Sequence, residues 1–260
     1  MKNTKEPFIH ITRREGMPLW KGLLIRAAAV LVALILSDIV ISAAAPRSQG
    51  FFGFFSALFS GAFGTERRTW LLFQNTFLLL GVAVALVVAF KMKFWNLGGN
   101  GQILMGCLAC AICLKYLGGK LPDPLVWLIM LAASLAAGAL WAVIPAIFKA
   151  FFNTNESLFT LMMNYIAMYL VAFFISFWYP EGTGAMPPLT EGVLPPLGEG
   201  QMGKSLLPIL LFAVVTAAIY LYLRFSKHGY EVALIGDSKN TARYAGINVK
   251  KVIIRTLILS

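Results

Sequence analysis

Residues 71–118 read LLFQNTFLLLGVAVALVVAFKMKFWNLGGNGQILMGCLACAICLKYLG. Residues 71–90 carry no charge, and a helix of about 20 apolar residues spans the hydrocarbon core of a bilayer. Two lysines follow, Lys91 and Lys93, then Phe94-Trp95-Asn96-Leu97-Gly98-Gly99-Asn100-Gly101-Gln102, then a second apolar run over 101–118. Three glycines and two asparagines between two spans predict a broken helix near 94–102. Irregular backbone at membrane depth is tolerated where it is buried in protein or lines a cavity, and there its N–H and C=O groups become available to ligands. The two preceding lysines leave an ordinary turn at the membrane surface as the other reading of the same residues.

Working outward, further apolar runs lie near 20–45, 125–148, 157–179 and 206–224, and one more opens at Val252. The predicted fold class is therefore all-α: a polytopic membrane protein with about six complete transmembrane helices and the start of a seventh. The composition agrees. Of the 260 residues 59% are hydrophobic and 13% are charged, with a mean hydropathy of +0.77. A soluble domain carries about a quarter charged residues, and a disordered chain is polar and highly charged, so both classes are excluded. The stretch 51–63 (FFGFFSALFSGAF) is apolar but short, aromatic and interrupted by glycine, which predicts an interfacial or re-entrant segment. The N-terminus resembles a signal region, with Ala43-Ala44-Ala45 as a mock cleavage site, but the apolar run from Leu23 to Ala45 is too long and reads as an uncleaved helix.

The net charge of +11 comes from 22 Lys+Arg against 11 Asp+Glu. In a membrane protein such an excess reports topology before it reports nucleic acid. With the N-terminus cytoplasmic, six spans leave only Arg47, Arg67, Arg68, Lys115, Lys120 and Lys204 outside, and the other sixteen of the 22 inside. Span parity and charge bias agree. The 260 residues then form one transmembrane domain with an irregular extracytoplasmic loop over 180–205 and a basic cytoplasmic loop over 225–251. Within that inner loop Asp237 or Ser238 can cap a helix of about two turns, Lys239 to Ala245, which Gly246 ends.

Several motifs fire without structural support. Gly198-Glu-Gly200-Gln-Met-Gly203-Lys204-Ser205 fits both the phosphate-loop and the dinucleotide patterns, but these need a buried strand before them, and Val193-Leu-Pro-Pro-Leu197 cannot supply one. Cys107, Cys110 and Cys113 mimic three ligands of an iron–sulfur run, but the fourth position is Leu117; small packing residues are the better reading. Asn155-Glu-Ser157 is a glycosylation sequon on the cytoplasmic side and is expected to be idle. His10 and His228 are isolated, so no metal site is expected, and neither paired acids nor a Ser/His/Asp set offers a catalytic residue. No cofactor is expected. Among polar residues on the spans, Asp38 reads as a solvated helix end. Gln74, Asn75, Thr76, Thr160 and Asn164 read either as interhelical hydrogen-bond partners or as the lining of a polar pathway.

Three ordered motifs carry a family resemblance. Asn96-Leu-Gly-Gly-Asn-Gly-Gln-Ile-Leu-Met-Gly106 resembles the N-[IL]-G-x-[EN]-G-Q-x-x-x-G signature of permease subunits of bacterial ABC importers that serve simple sugars, nucleosides and branched-chain amino acids. Thr160-Leu-Met-Met-Asn164-Tyr165-Ile-Ala167 resembles that family's T-[IL]-M-[LM]-N-Y-I-A helix. Tyr230-Glu-Val-Ala-Leu-Ile-Gly236, with Ala242-Arg243-Tyr244-Ala245-Gly246-Ile247, resembles its cytoplasmic coupling segment. The match runs over 71–260 and is nearest to the nucleoside-type branch. Three positions depart from the pattern: Asn100 replaces a common acid, Ala233 a usual arginine and Ser238 a usual asparagine.

The resemblance implies a transport subunit in a bacterial inner membrane, not an enzyme, with ATP hydrolysis in a separate ATPase chain. It also implies a substrate-binding lipoprotein at the outer loop, a second permease subunit, identical or different, and a small polar solute such as a nucleoside or simple sugar. Asn75, Asn96, Gly98, Gly99, Asn100, Gln102 and Asn164 would lie along the substrate pathway. Gly236, Ser238, Asn240, Ala242, Arg243, Tyr244, Gly246 and Ile247 would couple to the ATPase. Because the family continues for several more helices, the domain is expected to be incomplete at its C-terminus. A secondary transporter, an intramembrane transferase or a non-transporting truncated permease are the alternatives. The first should show mid-membrane coupling acids and inverted repeats, and the second an acid- or histidine-rich cytoplasmic face.

Overall fold

The computed structural model describes residues 18–44, 50–182, 184–187 and 195–260. His10, the first basic residues, Arg47 and residues 183 and 188–194 of the outer loop lie outside the described residues. Among the described residues ten helices follow one another: α1 (Leu19–Ala44), α2 (Gly50–Phe63), α3 (Glu66–Lys91), α4 (Gly99–Leu117), α5 (Asp123–Phe152), α6 (Glu156–Trp178), α7 (Gly200–Phe225), α8 (Lys227–Asp237), α9 (Lys239–Tyr244) and α10 (Val249–Leu259). The described residues hold no strand. Six helices, α1 and α3 to α7, are long and apolar enough to cross a membrane, and they coincide with the six runs read from the sequence. The fourteen-residue α2 is apolar but shorter than a span.

The chain divides into two compact units, 1–68 and 69–260. In the first, α1 and α2 expose apolar side chains along most of their length, as helices do when lipid is their solvent. Asp38 on α1 is only 2% exposed, and its Oδ1 has no hydrogen-bond partner among the described residues. It is therefore not the solvated helix end that its position near a span terminus suggested.

In the second unit α4, α5 and α6 pack together, and α10 lies along α5. The buried core sits at one end: Ala89 and Met92 at the close of α3, Ala142 and Ala146 on α5, Val232 and Ile235 on α8, and Val252, Ile253 and Leu257 on α10. Fully burying a valine, isoleucine or leucine contributes about 1.5–3 kcal/mol, which is why helices as short as eleven residues hold here. The charged residues of α10 face outward: Lys250, Lys251 and Arg255 lie on its exposed side. The apolar run that opens at Val252 is thus an amphipathic helix starting at Val249, capped by Asn248, whose side chain accepts from Lys251 N.

Two boundaries differ from expectation. Helix α7 begins at Gly200, inside the stretch read as loop, because its first polar residues find partners: Gln201 Nε2 donates to Ser205 Oγ, and the buried Ser205 hydroxyl donates to Gln74 Oε1 on α3 at 2.9 Å. The basic stretch 225–251 is almost wholly helical, containing α8, α9 and the start of α10.

His228 ties α7, α8 and α10 together. It is 2% exposed, with Nδ1 3.1 Å from Tyr222 Oη and Nε2 3.2 Å from Thr256 Oγ1. The Thr256 hydroxyl spends its proton on Val252 O, so His228 Nε2 donates and Nδ1 accepts from Tyr222, which in turn accepts from Arg255. The ring is held neutral: burial and the Arg255 charge push its pKa below the ordinary value of about 6.5, against a smaller opposing pull from Glu231. The unfolded chain therefore binds a proton first as pH falls, and stability declines on acidification through about pH 6.5. Thermal unfolding in detergent should fall more steeply between about pH 7 and about pH 5.5 for the unsubstituted chain than for His228→Asn. Equal slopes would remove the neutral-ring assignment.

Candidate functional site

The helix break follows from local chemistry. After Lys91 the chain turns through Lys93, at φ +56°, and does not resume helix until Gly99, so the irregular stretch is 92–98 and Gly99 to Gln102 are already helical. Asn96 is buried and forms the turn itself, its Oδ1 accepting from Gly98 N at 3.0 Å, a local bond that competes with helix. Three further backbone groups are met from α6. Leu97 N donates to Thr160 Oγ1 (3.1 Å), Gly101 N donates to Asn164 Oδ1 (2.7 Å), and Asn164 Nδ2 donates to Leu97 O (2.8 Å). Thr160 completes its own valence by donating to Glu156 O. One threonine and one asparagine, four residues apart and hence on one helix face, thus close three backbone groups left open by the break.

Gly101 makes this approach possible. A Cβ there would lie 2.9 Å from Asn164 Oδ1, 3.0 Å from Trp141 Nε1 and 3.2 Å from Asn164 Cα. Trp141 was not singled out from the sequence; its indole N–H is buried beside the break without a partner among the described residues, a donor aimed at the region where the three helices meet.

The structure brings Asn96, Gly98, Gly99 and Asn164 together at this junction, with Gly99 packed on Leu86 of α3. Asn100 is exposed and Gln102 half-buried, and neither side chain makes a hydrogen bond among the described residues. Asn75 is exposed on α3 and has no contact with the break; its neighbour Gln74 carries the interhelical bond instead. The three cysteines point differently along α4: Cys107 is exposed, Cys110 half-buried and Cys113 buried. The sequon asparagine, Asn155, has a structural task, its side chain accepting from Ser157 N and Leu158 N as the cap of α6. The glycine-rich pattern 198–205 straddles the start of α7, with no strand before it among the described residues.

At the same end of the unit α9 stands on a packed base. Ser238 Oγ accepts from Thr241 N to cap it, Ala242 is fully buried, and Gly246 at φ +75° ends it. Gly236 lies so close to Lys91 O that a Cβ would strike that carbonyl, which seats α8 against the end of α3. Asn240 and Arg243 are exposed, Tyr244 is 93% exposed, and Ile247 is half-buried.

Residues 67–260 match the family described as branched-chain amino acid transport system / permease component. The chain belongs to that family. It is a multi-pass membrane protein of this permease family, which is neither a transferase family nor one of secondary transporters. Similar proteins include a guanosine ABC transporter permease of Bacillus subtilis, 29% identical over 219 residues, covering 79% of this chain and 60% of the relative. A nucleoside ABC transporter permease of Lactococcus lactis is 26% identical over 78% of this chain and 58% of its own length. A glucose ABC transporter permease of Haloferax volcanii is 27% identical over 70% of this chain and 50% of its own length. The chain therefore spans between half and three fifths of these relatives. No solved structure matches it.

In this permease the staple should be strongly coupled. Thr160→Val and Asn164→Leu each leave a backbone group of the break unpaired and should cost up to about 1–3 kcal/mol per orphaned group. Because both act on Leu97, the double variant should cost measurably less than the sum of the two. Full additivity in detergent unfolding would mean that the two side chains do not hold the same segment.

Proposed function

We propose that the chain is the permease subunit of an ATP-driven importer for nucleosides or related simple sugars, with its N-terminus and α8 to α10 on the cytoplasmic side. An ATPase subunit, a substrate-binding lipoprotein and a second permease subunit, identical or different, are its partners. The observation that carries this reading is α9. Its buried Ala242 roots a capped helix whose Asn240, Arg243 and Tyr244 project from the unit, the arrangement required of a short lever that must transmit force without unfolding. Alone, so short a helix is marginal; Ser238, Gly246 and the core beneath make it stiff. Gly236 and Ile247 act from below as seating residues. The sixteen-to-six charge bias supports the orientation.

Along the substrate pathway the seven candidates divide by what their amides are free to do. Asn96, Gly98, Gly99 and Asn164 frame the break, since their polar groups or their small size are used by the backbone. Asn75, Asn100 and Gln102 keep uncommitted amides and are the residues available to a solute. The guanosine, nucleoside and glucose permeases among the relatives support a hydroxyl-rich, uncharged solute, for which amides rather than charges are suitable partners.

Co-expression with the ATPase subunit of the same organism tests the lever. Arg243→Glu and Tyr244→Ala alter exposed side chains, so folding and yield should be unchanged. Each should weaken ATPase co-purification by about 2 kcal/mol or more, as exposed arginine and tyrosine anchors commonly do. Retention of the ATPase by the double variant would refute coupling through α9.

A further inference from the structure

Between the end of α5 and the helices α9 and α10 lies a cavity of about 670 Å³ whose charged wall is cationic: Lys149, Lys239, Arg243 and Lys250 line it, with the amides of Asn153 and Asn240. Lys149 is spent, paired with Glu156 and donating to Thr154 O. Lys239, Arg243 and Lys250 form no ion pair among the described residues. Arg243 and Lys250, with Lys239 whose charge also acts on Glu156, leave this concavity of ligand size net cationic and raise the local concentration of anions. We propose that this cavity seats the phosphate headgroup of an anionic phospholipid, which packs beside α9 at the membrane boundary.

The lipid source, rather than a free phosphate, follows from what the cavity opens onto. On α5 the residues Leu140, Ile144, Ile147 and Phe151 recur at helical spacing and are all exposed, an apolar stripe along a membrane-spanning helix. The stripe runs directly into the cavity, because Phe151 forms part of its wall and Lys250 Nζ stands 4.5 Å over the Phe151 ring. Acyl chains on the stripe thus carry their phosphate to the three cations. Basic pockets beside spanning helices at a membrane surface are suited to anionic headgroups, each nearby lysine or arginine adding about fivefold in affinity. Asn240 and Arg243 line the cavity as well as projecting from α9, so the lipid sits beside the surface proposed to meet the ATPase. The site stands whether or not an ATPase docks on α9.

The test is native mass spectrometry of the full chain in detergent, without ATPase, offered phosphatidylglycerol and phosphatidylcholine together. Phosphatidylglycerol should be retained preferentially. Lys239→Gln with Lys250→Gln should reduce that preference about 30-fold, while Lys239→Arg with Lys250→Arg, which keeps the charge, should preserve it. Phe151→Ser should weaken phosphatidylglycerol retention too. Equal retention of the two lipids, or an unchanged preference in the glutamine pair, would overturn the site. Displacement of the lipid by inorganic phosphate, or a Phe151→Ser variant that holds phosphatidylglycerol as tightly as the parent, would reassign it to a free anion. Should the glutamine pair fail to elute as a folded species, the arginine pair and Phe151→Ser still decide the question.

Discussion

The second unit depends on one side chain bridging a helix break. Asn164 offers its amide oxygen to Gly101 N and its amide nitrogen to Leu97 O, so the close of the irregular stretch and the first turn of α4 are sewn to α6 by a single group. A buried backbone amide or carbonyl left unpaired costs about 1–3 kcal/mol. Thr160 on the same face takes Leu97 N. Without these two residues the glycines of 98–101 would be a liability; with them the break becomes a fixed bend that sets where α3 ends and α4 begins.

From that bend the functional end of the molecule follows. Met92 and Phe94, carried inward by the break, enter the core formed with α5, α8 and α10. Lys91 O presses on Gly236 of α8, α8 delivers Ser238, and Ser238 caps α9. The segment proposed to touch an ATPase is in this way joined through packed elements to the segment proposed to frame the solute path. Such a chain of contacts is what a transporter needs if closure on one side is to change access on the other, although a contiguous route is a physical precondition and not itself coupling.

Run length and charge were enough to read the six spans, because a bilayer imposes its thickness on any sequence that crosses it. The cap and stop of α9 were equally plain in Ser238 and Gly246. Other features depended on partners far along the chain. Nothing near Asn164 announces that its amide meets a backbone 63 residues away, and the same composition suits a pathway lining. The start of α7 at Gly200 depends on Gln74 of α3, and α8, charged and short, is a helix because Val232 and Ile235 find a core. His228 looked isolated for the same reason: Tyr222 and Thr256 come from different helices. Asn155 shows the converse: its sequon reads as idle, and the same side chain serves as a cap.

The most direct test of the central claim is amide hydrogen exchange of the chain in lipid nanodiscs, read at Leu97 and Gly101. If Thr160 and Asn164 close the break, both amides exchange as slowly as those in the adjoining helices α4 and α6, and Thr160→Val or Asn164→Leu releases them. Exchange at both positions as fast as in an exposed turn, in the unsubstituted chain, would contradict the account.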